Sequence, residues 1–188
     1  MRLNFLLLLL LPYLVMATEE PEFSLIKKEG DFEIRSYAPK IIAEVKVKGS
    51  YDDATSAGFK LLADFIFGNN TSTNNESSKI AMTAPVISEK NEHAWLISFV
   101  MPSEYSLDNL PRPNNTSIKI IAKNSETYAV IIFSGLVRES SFNEKIDLLN
   151  KYIIKNNYEL DGNVQIARYD PPWTLPFLRR NELLIKIK

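Results

Sequence analysis

Two stretches of helical periodicity interrupt an otherwise strand-like chain, and they fall at matching places in its two halves. Residues 23–28 and 32–37 alternate apolar and polar side chains around Glu29-Gly30-Asp31, which predicts a hairpin. Residues 41–47 alternate again, with Ile41, Ala43, Val45 and Val47 on one face. Ser50 is a capping residue followed by Asp52 and Asp53, and apolar or small residues recur at 54, 58, 61, 62, 65 and 66. This predicts a first helix that ends at Gly68. A polar loop over 68–78 leads to expected strands at 80–87 and 94–101, joined by a charged turn over 88–93. After a proline-containing connector, 118–122 and 128–133 read as another strand pair. Ser141 and Glu144 form a capping box that predicts a second helix to about Asn156. Strands at 164–169 and 183–187 close the chain.

The order is three strands, helix, two strands, then two strands, helix, two strands. It predicts two antiparallel sheets, each half carrying one helix, wrapped into an α+β barrel-like body. No Pro/Gly/Ser linker separates the halves, so they read as one domain.

Composition narrows the chemistry. Among 188 residues there is no cysteine and one histidine, His93. That removes disulfides, thiolate zinc sites, iron–sulfur clusters and cysteine nucleophiles. It also removes any three-histidine metal site or bis-histidine haem within one chain. The net charge of −1 argues against a nucleic-acid surface. No Gly-x-Ser-x-Gly, P-loop or dinucleotide glycine pattern is present, and no catalytic residue is assigned. The acidic pair Asp52-Asp53 is explained by the helix N-terminus.

The first residues read as an export signal. Arg2 precedes an apolar run over 5–15 that contains six consecutive leucines, and Val15-Met16-Ala17 places small or modest residues at −3 and −1 of a cut after Ala17. The run is short of the roughly 20 apolar residues of a membrane span. The expectation is a protein exported to the periplasm or outside the cell, without a stable membrane span once the signal is removed. Asn-x-Ser/Thr sequons at Asn69, Asn70, Asn75, Asn114 and Asn115 are read as Asn-rich loops.

Several motifs in register resemble a known family. Ile80-Ala81-Met82-Thr83-Ala84-Pro85-Val86 resembles the signature of the SOUL haem-binding proteins. So do Glu33-Ile34-Arg35-Ser36-Tyr37, Gly58-Phe59-Lys60-Leu61-Leu62, Phe99-Val100-Met101-Pro102, and the tail from Ala167 to Trp173 with Arg179-Arg180-Asn181-Glu182. The resemblance spans about residues 20–188. With residues 1–17 read as signal peptide, it implies a SOUL haem-binding domain over 18–188. It also implies a distorted antiparallel barrel of about eight strands with two helices and pseudo-two-fold halves, like effector-binding domains.

Functionally, the resemblance implies a monomer that binds haem or another tetrapyrrole, is not an enzyme, and serves haem buffering or transport. The alternatives are a binder of another small hydrophobic effector on the same fold, or a hydrolase. The groove is expected beside the first helix and the C-terminal loop. A porphyrin is a flat apolar disc with two carboxylates, so it needs apolar walls and a cation at the rim. Phe59, Ala63 and Phe67 lie four apart on the helix, opposite its core face. Trp173, Leu175 and Phe177 form a proline-stiffened loop that can be the other wall, and Lys60 is the propionate partner. Where family members carry basic residues on the groove side of the helix, this chain has Ser56 and Asp64. His93, in a charged turn, is the remaining axial candidate for the iron and a poorly placed one; Met82 is expected to be core.

Overall fold

The computed structural model describes residues 18–188, apart from the side chains of residues 139–141. The expected signal segment lies outside the described residues, and the expected capping box rests on a Ser141 side chain that is also outside them. The elements are β1 (Phe23–Glu29), β2 (Phe32–Tyr37), β3 (Lys40–Lys48), α1 (Tyr51–Ile66), β4 (Asn70–Thr71), β5 (Val86–Asn91) and β6 (Ala94–Val100). They continue with β7 (Arg112–Pro113), β8 (Ile118–Lys123), β9 (Glu126–Phe133), α2 (Glu139–Lys155), β10 (Leu160–Arg168), a 3-10 turn (Pro176–Leu178) and β11 (Asn181–Ile187).

Local chemistry explains the boundaries. Gly30 takes φ +59° in the β1–β2 turn, a conformation that glycine adopts without steric cost. The Ser50 hydroxyl accepts the Asp53 amide at 3.3 Å and starts α1. Residues 80–85, expected as strand, are not in one. The strand begins at Val86, after Pro85, which has no N–H to give a ladder. β5 also runs further than expected, to Asn91, and the turn to β6 is only Glu92-His93. The buried Asn70 organises the polar loop: its amide donates to the carbonyls of Phe65 at 2.7 Å and Ser78 at 2.8 Å.

Nine strands form one antiparallel sheet in the order β1-β2-β9-β11-β10-β5-β6-β3-β8, and β4 pairs with β7 in a separate ribbon. The expected two sheets are therefore one. β1 and β8 share no ladder among the described residues, so the sheet is open and not a closed barrel. The expected pairing of 118–122 with 128–133 is also corrected. β8 pairs with β3, while β9 lies between β2 and β11. Exchanging β2, β3, β5 and β6 for β8, β9, β10 and β11 leaves the order of these eight strands unchanged when read from the opposite edge.

Both helices lie on one face. α1 packs on β3 and β6, and α2 on β9 and β11. Trp95, Ile97 and Phe99 of β6 point at α1: Tyr51 meets Trp95 with ring centres 5.0 Å apart, and Phe59 meets Phe99 at 5.5 Å. Gly58 lets the helix approach, since a Cβ there would lie 2.5 Å from Ile97. The main core fills this layer, with Leu62, Phe65, Ile66, Leu149, Ile153 and Leu183 essentially inaccessible. The opposite face carries a smaller cluster around Tyr37, Tyr128, Val130 and Leu184.

Candidate functional site

The register places one row of residues across the sheet. Phe133, Asn181, Arg168, Val86 and Phe99 are successive cross-strand neighbours on β9, β11, β10, β5 and β6. Only β5 separates β6 from β10, so Phe99 and Arg168 are two strand spacings apart, about 10 Å. Beyond this row β10 and β6 leave the sheet at the same end.

α1 runs along β6 in the same direction, from Tyr51 over Trp95 to Phe59 over Phe99. Eight further helical positions carry it about 12 Å to Phe67, past the end of β6 at Val100. The loop over 171–178 leaves from the end of β10. The second half of α1 and this loop therefore both extend toward the same end of the sheet, where Val86 is half-buried.

Large apolar side chains of both segments are exposed. Phe67 is 58% exposed, Trp173 82%, Leu175 56% and Phe177 70%. None of the three loop side chains covers the helix in a ring contact among the described residues. Phe59 is partly covered by Phe99 and 37% exposed. Lys60 is exposed beside it. Ala63 departs from expectation: it is buried, so it spaces the two phenylalanines and presents little surface of its own.

The loop is held from within. The Gly135 amide donates to Pro176 O at 2.9 Å. Arg179 Nε donates to Thr174 O at 2.8 Å, and its Nη2 donates to Pro172 O. Arg179 is thus spent on the loop. Asp64, one of the two positions lacking a cation, accepts the Asn69 side-chain amide at 2.5 Å and helps close the helix end.

Other residues singled out by sequence lie elsewhere. His93 is exposed at the β5–β6 tip, six residues of extended strand from Phe99, roughly 20 Å. Met82 is 43% exposed, so its expected core role is corrected. Thr83 donates to Val100 O at 2.6 Å, a backbone tie. Among the described residues no group of three or more His, Asp or Glu side chains could hold a metal.

Sequence reasoning missed two arrangements. On the sheet face away from the helices, the fully buried Glu182 accepts Arg35 Nη1 at 2.8 Å and Nη2 at 3.2 Å, Arg180 Nε at 2.9 Å, and the Tyr169 hydroxyl at 2.9 Å. Arg35 Nε also donates to Glu33 at 2.6 Å. Burial and the neighbouring Glu182 charge push the Tyr169 phenol well above its ordinary range, so it is a committed hydrogen-bond donor. The second arrangement is a cleft of about 420 Å³ lined by residues 19–22, 38–41, 100–103, 105–107 and 122–124 and by Thr83. None of the seven residues expected to bind ligand lines it. The only sequence signal for it was the Pro-containing connector with its apolar Leu107; the partners come together through non-local pairing.

Among the described residues no helix is long and apolar enough to cross a membrane. Comparison with curated proteins finds no match. The fold has solved relatives. The chain is similar to the EcmrR C-terminal domain at 12% identity and a TM-score of 0.60, covering 84% of this chain and 96% of that one. It is similar to a hydrolase from Listeria innocua at 10% identity and a TM-score of 0.55, covering 87% and 94%. An uncharacterized conserved protein from Listeria innocua matches at 11% identity and a TM-score of 0.58, covering 84% and 92%. At these identities the likeness is one of fold alone. The family model described as SOUL heme-binding protein matches residues 18–186, nearly the whole described chain. The chain belongs to the SOUL heme-binding family, a family of ligand binders.

Proposed function

We propose that this protein is exported and holds haem or a related tetrapyrrole in the slot between the end of α1 and the 171–178 loop, for buffering or transport. The observation that carries the reading is the pair of apolar walls, Phe67 on one side and Trp173, Leu175 and Phe177 on the other, each more than half exposed at one sheet end. Exposed aromatic groups gathered in this way mark contacts with an apolar partner.

The residues fit the faces of a porphyrin. They do not supply an iron ligand, since His93 lies at the other end of β6. Lys60 is the rim cation for a propionate. Titrating the mature protein with haemin is expected to give a saturable Soret change. Phe67→Asp, at an exposed position, is expected to weaken it at least tenfold while leaving the thermal transition in place. No saturable change with the wild type overturns the proposal.

A second reading keeps the slot and changes the ligand to another small hydrophobic effector. Ser56 and Asp64 favour it, because they flank Lys60 on one stripe of α1 with a neutral and an acidic side chain and leave a single cation there. Native mass spectrometry of protein from its own host separates the two by the mass of what co-purifies.

A further inference from the structure

We infer that the cleft between the 19–22 segment and the 100–107 connector is a second ligand site, taking a small amphipathic carboxylate whose head sits between Lys40 and Lys123. The two lysines are directly opposed on β3 and β8. Like charges facing each other across strands repel, and among the described residues neither ammonium has a carboxylate within salt-bridge distance. Lys40 instead sits over the Tyr37 ring at 4.3 Å and the Tyr128 ring at 5.9 Å. Burial pushes its ammonium down to about 8, against the pull of Glu126 and with the push of Lys123. Glu126 itself is engaged by Lys186 at 3.2 Å and by the Tyr128 hydroxyl at 2.9 Å.

The acidic groups at the mouth are mostly committed. Glu20 pairs with Arg180 at 3.0 Å, and Glu19 accepts the Ser103 amide at 2.7 Å. Glu22 is exposed and lines the cleft as its remaining acidic group. The floor therefore carries two lysines without an ion pair among the described residues, in the field of Glu126 and Glu44. The remaining lining mixes apolar Pro21, Ile41, Met101, Tyr105 and Leu107 with polar Thr83, Ser103, Ser106 and Asn124. A volume of about 420 Å³ lies within the range of small-molecule sites. An anion between the lysines would relieve their repulsion, and an apolar tail would cover Leu107, which is 59% exposed.

The test uses octanoate and its neutral counterpart octanamide, with binding to the mature protein followed by ligand-observed NMR. Octanoate is expected to bind saturably at one site and octanamide at least tenfold more weakly. Lys40→Met with Lys123→Met is expected to cost octanoate at least tenfold, and Phe67→Asp to leave it unchanged. Lys123→Gln, on an edge strand, serves if the double variant does not fold, with an expected loss of at least threefold. Absence of saturable binding, equal binding of the amide, or unchanged affinity in the lysine variants overturns the inference. Loss of octanoate on Phe67→Asp also overturns it, by placing the ligand in the porphyrin slot.

Discussion

Glu182 has no exposed surface, yet it meets Arg35, Arg180 and Tyr169 within 3.2 Å. A buried ion pair gains little over well-packed apolar groups, but removing one partner strands the other charge at a cost of about 3–5 kcal/mol. Glu182→Ala should lower the unfolding free energy by about that amount, measured by urea denaturation. A loss below about 1 kcal/mol would mean that Glu33 alone satisfies Arg35. The sequence showed Glu182 only as part of the Arg179-Arg180-Asn181-Glu182 motif. It could not name Arg35, 147 positions away, because that contact exists only once β11, β9 and β2 are in order. The same limit applies to Met82 and Ala63. Alternation and spacing assign a side chain to a face, but what covers that face is a property of distant elements.

Strand and helix positions were legible because their apolar periods are local. Pairing was less so. The connector between β8 and β9 is only Asn124-Ser125, which reads as a hairpin, yet the two strands separate. Their compositions carry the reason. β9 is buried on both faces from Tyr128 to Ile131, the pattern of a central strand. β8 carries Lys119 and Lys123 and ends the sheet, as charged edge strands do. Helix propensity is similarly overruled at Gly58. Alanine in an exposed helix interior would gain up to about 1 kcal/mol over glycine. Here the added Cβ would lie 2.5 and 2.7 Å from Ile97 side-chain atoms, and Ile97 is fully buried. Gly58→Ala is therefore expected to destabilise by about 1–3 kcal/mol in chemical denaturation, since overpacking forces backbone or rotamer shifts. A stabilised variant would show that α1 can move off β6.

The exchange-symmetric strand order gives the molecule two helix-bearing halves joined at the β10–β5 pair. The proposed porphyrin slot would be walled by α1 of the first half and by the β10–β11 loop of the second. The phenylalanine stripe and the aromatic loop are local features of the sequence, whereas their lying toward one end of the sheet is not, because it depends on β5 alone lying between β6 and β10. The same arrangement sets how the ligand is held. The single histidine lies roughly 20 Å along β6 from Phe99, at the opposite end of the strand. In the proposed slot, binding energy would come from apolar area and from the propionates, neither of which involves the metal. Metal-free protoporphyrin is therefore expected to bind within a few fold of haemin, measured by quenching of Trp173 fluorescence. His93→Ala is expected to leave both affinities unchanged. A strict requirement for iron, or loss of haemin on His93→Ala, would move the site to the β5–β6 tip and away from the aromatic loop.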